Sequence, residues 1–155
     1  MERVWTLHYE EISWEDLSLE EREVVLAARH AAEKAYAPYS SFLVGAAARL
    51  RNGSLYLGNN QENAAYPSGL CAERVLLFSL GAQGLIPEIE TLAVYATLLE
   101  EPVTPCGACR QVMYEYQRRS PTPWRLLFGG GLSPRLYRLM GAEGLLPLAF
   151  SWRGK

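Results

Sequence analysis

The chain has 155 residues, 49% of them hydrophobic and 21% charged, with a net charge of −2. That length suits a single domain whose core needs no disulfide staples, and the charge offers no basic field to a polynucleotide. The N-terminus shows no signal-peptide h-region or cleavage site, and no apolar run approaches the roughly 18 residues of a membrane span. The expected address is therefore the cytoplasm, where thiols stay reduced.

In chain order, residues 3–12 alternate in part, with Val4, Trp5, Leu7 and Tyr9 suggesting an extended arm or edge strand. Ser18 and Glu21 form the pattern of a capping box. Behind it Val24, Val25, Ala28, Ala31 and Ala35 recur at helical spacing, in a helix that must end before Pro38. "FLVGAAARL" reads as a strand, Asn52-Gly53 as a hairpin turn and "SLYLG" as the partner strand. A polar loop, "NNQENAAYPSG", leads to an apolar helix over 72–80, stopped by Gly81 and Gly84. "TLAVYATL" reads as a strand buried on both faces. A second helix over 107–119 is broken by Pro121 and Pro123. "WRLLF" is a strand, "GGG" at 129–131 a flexible turn and "SPRLYRLM" a short helix. With no repeat or linker, residues 1–155 are one domain. Alternating strands and helices predict an α/β fold, a layered sandwich.

Three cysteines remain to be explained. An odd count in a reducing compartment argues against a disulfide; inert core thiols are the other plain alternative. Their positions favour a metal. Cys71 lies just before one helix, and Cys106 and Cys109 in the first turn of the other. Helix N-termini favour the thiolate, the form that binds metal. The C-x-x-C spacing lets two sulfurs reach one ion, and Cys71 completes a three-sulfur face. Three thiolates suit zinc. No fourth cysteine exists and His8 and His30 lie far upstream, which leaves the open corner that a catalytic zinc keeps for water. Glu73, two residues after Cys71, can stand beside such a water and move its proton. Its plain alternative is complementing the helix dipole.

"CAE" followed by "PCGAC" resembles the signature of the zinc-dependent cytidine deaminase superfamily, of which a three-cysteine variant is known. "YAPYSSFLVGAAARL", "GNNQENAAYPSGLCAERVLLF", "TPCGACRQV" and "LLPLAFS" are similar to the small homotetrameric members. The resemblance covers roughly residues 20–151; the arm over 1–18 lies outside it. It implies a three-layer α/β/α sandwich around a mixed sheet of about five strands. It implies one Zn²⁺ per chain on Cys71, Cys106 and Cys109, with Glu73 as the proton shuttle. Asn60 and Glu62 match the pair that holds the ribose, and Phe42 an aromatic near the base. The Ala72 N–H and the Pro105 carbonyl match groups that hydrogen-bond the pyrimidine carbonyl and the leaving amine. Phe150 matches a residue that reaches a neighbouring subunit's site, in a homotetramer. Arg74 matches an arginine against the zinc-bound cysteines, where a guanidinium withdraws sulfur electron density.

The implied reaction is hydrolytic deamination of free cytidine and deoxycytidine in pyrimidine salvage. The alternatives keep the chemistry on an N4-modified cytidine or a cytosine-containing antibiotic, or keep only the metal, as a non-catalytic zinc-binding module. A polynucleotide substrate is disfavoured by the acidic balance and by "CAE" where tRNA adenosine deaminases have "HAE".

Overall fold

The computed structural model describes residues 1–152. The N-terminal arm becomes a strand only at Glu10–Ser13 (β1). The capping box forms as the sequence predicts: Ser18 Oγ accepts from Glu21 N at 3.2 Å and the Glu21 carboxylate accepts from Ser18 N at 2.9 Å. It opens α1, Leu19–Ala32, which stops short of Ala35. A hairpin follows, β2 at Val44–Leu50 and β3 at Leu55–Asn59, turned by Gly53 at φ 86°. The remaining elements are α2 (Ala72–Ala82), β4 (Ile89–Ala96), α3 (Gly107–Gln117), β5 (Arg125–Gly130) and β6 (Arg135–Met140).

All six strands form one sheet in the order β1-β6-β5-β4-β2-β3. Only β4 and β5 run parallel; the other neighbours are antiparallel. Strand alternation divides the apolar side chains between two layers. Val24, Val25 and Ala28 of α1 pack with Ala47, Ala93 and Leu127 on one face. Leu76, Leu77 and Leu80 of α2 and Met113 of α3 pack with Ala46, Val94, Leu126 and Phe128 on the other. The α/β/α sandwich is therefore as expected.

The sheet has six strands rather than about five, and two local readings are corrected. "SPRLYRLM" is not a helix: residues 135–140 pair antiparallel with β5, Leu126 opposite Leu139 and Phe128 opposite Tyr137. A six-residue window fits either period, and the open edge of β5 decides it. Gly129 and Gly130 belong to β5 rather than to a flexible turn. A Cβ at Gly130 would lie 2.7 Å from the Glu101 carbonyl oxygen, so a neighbouring loop needs the bare backbone there. The arm does supply an edge strand, but only from Glu10, where β1 pairs with β6.

Two glycines let the helices approach the hairpin. A Cβ on Gly45 would fall 1.9 Å from the Ala28 carbonyl oxygen, and one on Gly58 would fall 2.7 Å from the Leu76 nitrogen. Gly45 thus seats α1 against one face, and Gly58 seats α2 against the other. This second contact fixes where the N-terminus of α2 points. No helix of the described residues is long and apolar enough to cross a membrane.

Candidate active site

Three extended segments lie side by side ahead of α2. Gln61 bridges to Tyr36 on one side and to Leu70 on the other. The Gln61–Leu70 pair exchanges N–H···O bonds of 2.9 and 3.0 Å. The chain leaves this ladder directly into Cys71, the N-cap of α2. Cys106 is the N-cap of α3 and Cys109 lies in its first turn. Two helix N-termini therefore converge on one place, and their partial positive charges sum there.

The three Sγ atoms lie within 4.8 Å of one another, Cys71 and Cys106 at 3.8 Å. Three sulfurs about 2.3 Å from a tetrahedral metal ion stand roughly 3.8 Å apart, whereas a disulfide needs about 2.05 Å. All three cysteines are free thiols. The donor set and spacing fit a zinc-type ion, with these residues supplying three of four corners.

The cluster favours ionisation unequally. A hydrogen bond from Cys109, helped by Arg74 and Cys106, lowers the Cys71 thiol to about 5 against the cost of burial. Cys109 is pushed upward, first because it donates to Cys71 and then by burial. The shared hydrogen bond thus favours one thiolate in the metal-free cluster, with Cys71 as its acceptor and Cys109 as its donor. Arg74 Nη2 stands 3.7 Å from Cys71 Sγ. Glu73 is buried at 4% exposure. Burial raises its carboxyl above the ordinary range, and the Cys71 charge adds to the shift. A carboxylate raised in this way is a stronger base than a solvated one.

A cavity of about 480 Å³ opens beside the cluster, lined by Tyr39, Asn60, Glu62, Tyr66, Cys71 and Arg74 among others. Asn60 and Glu62 both face it, and both also tie down the segment before β2. Asn60 Oδ1 accepts from Val44 N at 2.9 Å and its Nδ2 donates to the Phe42 carbonyl at 2.8 Å. Glu62 accepts from the Tyr39 and Ser40 amides at 2.8 and 3.3 Å and from the Ser40 hydroxyl. These bonds hold its carboxyl below the ordinary range, the Ser40 hydroxyl contributing most.

Phe42, Ala72, Pro105 and Phe150 are not among the residues lining this cavity in the single chain. Phe42 is 36% exposed, its amide donating to Oγ of Ser40, a lining residue, at 3.0 Å. Ala72 is buried as the first residue of α2. Phe150 is exposed, its carbonyl accepting from Gln111 Nε2 at 2.9 Å. The Pro105 carbonyl accepts from Arg110 Nε at 2.7 Å.

Sequence reasoning passed over three residues. Tyr39 and Tyr66 meet edge to face in the cavity lining, centroids 6.0 Å apart; an aromatic residue inside the polar loop 59–69 was the available signal for Tyr66. Arg110 was hidden beside Cys109, because one of its two partners, the Leu145 carbonyl, lies 35 residues away. A larger cavity, about 830 Å³, lies elsewhere, near the N-terminus of α1. Its buried carboxylate, Glu21, pairs with Arg125 and Arg138.

An α/β/α sandwich that brings three thiols and a buried carboxylate to two helix N-termini, beside a ligand-sized cavity, defines a metal-dependent hydrolytic enzyme class. The family model described as the cytidine and deoxycytidylate deaminase zinc-binding region matches residues 19–121, and the chain belongs to that family. It is 45% identical over 94 residues to a cytidine deaminase of Sporosarcina psychrophila, covering 61% of this chain and 68% of that protein. It is 44% identical over 97 residues to a cytidine deaminase of Halalkalibacterium halodurans, covering 63% and 72%. The crystal structure of cytidine deaminase from Burkholderia pseudomallei superposes with a TM-score of 0.72 at 43% identity, over 83% of this chain and 97% of that one.

Proposed function

We propose that this chain hydrolyses free cytidine and deoxycytidine to uridine and deoxyuridine, releasing ammonia. The observation that carries the reading is the three-sulfur cluster set beside buried Glu73, with Cys71 in the wall of the cavity that Asn60 and Glu62 line. Cys71, Cys106 and Cys109 would hold one zinc ion. Bound there, zinc would supply a water acidified toward neutral pH.

The chain's own groups do the rest. Glu73 accepts a proton from the attacking water as its oxygen bonds to C4, and delivers that proton to ring N3. It then passes the second proton to the exocyclic nitrogen as the C4–N bond breaks, so cytidine and water become uridine and ammonia. The Ala72 N–H, at the start of α2, donates to the pyrimidine carbonyl. Pro105 has one carbonyl lone pair occupied by Arg110 and a second for the departing amine. The hydrogen bonds that Asn60 and Glu62 already make leave one N–H and one Oδ1 lone pair on Asn60 and one acceptor position on Glu62. A sugar hydroxyl, which both donates and accepts, matches that remainder.

The substrate is a nucleoside rather than a polynucleotide, and the enzyme works in the cytoplasm as a homotetramer whose subunits lend Phe150 to one another's sites. Residues 1–155 act as one domain. A module that only stored zinc would gain nothing from desolvating Glu73, which makes no salt bridge among the described residues. The test is turnover of cytidine and deoxycytidine by the purified protein. Glu73→Ala is expected to retain zinc and fold while losing at least about a hundredfold in kcat. Near wild-type turnover by that variant would remove the shuttle, and a zinc-loaded wild type inactive on both nucleosides would move the reaction to another aminated pyrimidine.

A further inference from the structure

The N-terminal arm lies outside the residues matched by the family model, 19–121, yet it ends beside the loop that carries Cys106. Trp5 Nε1 donates to the Gly144 carbonyl at 3.3 Å. The Leu7 side chain lies so close to Gly144 that a Cβ there would stand 2.8 Å from Leu7 Cδ1. Tyr9 stacks edge to face on Tyr137 of β6, centroids 5.1 Å apart. Leu7 and Tyr9 share the walls of a cavity of about 180 Å³ with Thr104, Arg110 and Leu145.

Arg110 connects this arm to the cluster. Its Nη1 donates to the Leu145 carbonyl at 3.0 Å and its Nε to the Pro105 carbonyl at 2.7 Å. Among the described residues no carboxylate pairs with it, so two main-chain dipoles alone locate the guanidinium. One dipole belongs to the short 3₁₀ turn Glu143–Leu145, the other to the residue before Cys106. Trp5 and Leu7 touch this turn from the arm, while buried Ala142 and Leu145 anchor it in the core and Gln117 Oε1 accepts from Ala142 N at 2.7 Å. Where the turn sits decides where Arg110 sits, and Arg110 decides where the Pro105 carbonyl points.

We propose that Trp5 and Leu7 are positioning residues, which fix the 104–106 loop through the Gly144–Leu145 turn and Arg110. The inference rests on the three-cysteine site as a metal centre. Its link to turnover rests further on the deaminase reading. Trp5 and Leu7 touch no substrate; they act on the loop that presents one metal ligand and the carbonyl beside it.

The test uses the full chain with Trp5→Ala, Leu7→Ala and the conservative Trp5→Phe and Leu7→Met. The readouts are the absorption spectrum of the cobalt(II)-substituted protein, the rate of zinc loss to a chelator, and kcat and KM on cytidine. Val25→Ala, in the α1 layer remote from the loop, serves as a stability control. Both alanine variants are expected to change the cobalt spectrum and to lose zinc several-fold faster. Their kcat falls about three- to tenfold with KM changed less than about twofold, as small displacements of supporting residues do. Leu7→Met restores most of these values, and Val25→Ala changes none of them. Alanine variants with lowered melting temperature but wild-type spectrum, zinc loss and kcat would overturn the proposal. So would Val25→Ala reproducing every change. If wild type is inactive on cytidine, the deaminase reading fails by itself, and the spectrum and zinc-loss rate still decide the role of the arm.

Discussion

Cys71 and Arg74 show how one pair of side chains sets the charge of the centre. The thiol of Cys71 is lowered to about 5, first by the hydrogen bond from Cys109 and then by Arg74 and Cys106. A lowered thiol pKa means that the thiolate dominates at every pH above that value. In the metal-free protein, alkylation of Cys71 should therefore inflect near pH 5, well below an ordinary cysteine. Arg74→Ala should move the inflection upward, because a positive charge 3.7 Å from the sulfur is removed. The check is the pH profile of labelling at Cys71, read by peptide mass. An unchanged inflection in Arg74→Ala would leave the guanidinium no electrostatic part in the cluster. The three-cysteine cluster was legible from sequence because Cys106 and Cys109 share one turn and Cys71 starts the other helix. Arg110 was not, since the Leu145 carbonyl that holds it is 35 residues away.

At the scale of elements, the segment before β2 is held by Glu62. Its carboxyl lies below the ordinary range because the Ser40 hydroxyl and the Tyr39 and Ser40 amides bond its charged form. A depressed folded-state pKa means that the tie is present above the unfolded carboxylate pKa and is lost as pH falls through the depressed value. Protection of the Tyr39 amide from hydrogen exchange should persist into mildly acidic solution and disappear only below the ordinary carboxylate range. In Glu62→Gln that acid transition should be absent and KM raised, since the wall of the cavity loosens. Gly45 sets the approach of α1 to the sheet. Gly45→Ala drives a methyl group against the Ala28 carbonyl and should cost about 2–4 kcal/mol in urea unfolding, with α1 retained in circular dichroism. A wild-type midpoint would mean that α1 shifts freely on the sheet.

At the scale of the whole molecule, exposed aromatic side chains gather on the C-terminal segment, Phe150 at 69% and Trp152 at 80% exposure. The proposed assembly covers Phe150 with a second subunit. Phe150→Ala should leave the thermal transition of the chain nearly unchanged while lowering turnover about tenfold. Sedimentation should give the mass of a tetramer for wild type, and activity should fall on dilution below the assembly concentration. A monomer of full activity would end that reading.

The sequence by itself determined what is local. The capping box of α1, the Asn52-Gly53 hairpin, the helix starts at Cys71 and Cys106 and the C-x-x-C pair of Cys106 and Cys109 all rest on side chains within a turn or two of one another. The tertiary structure alone decided what depends on pairing across the chain. Residues 135–140 became β6 because β5 offered an open edge, and β1 gave the sheet its sixth strand because β6 offered the next. The convergence of the two helix N-termini, with sulfurs of Cys71 and Cys106 at 3.8 Å, depends on helix–sheet approaches such as that of α2 onto Gly58. Backbone hydrogen-bond demand and close packing act between residues far apart in sequence, and no local pattern records which partner will satisfy them.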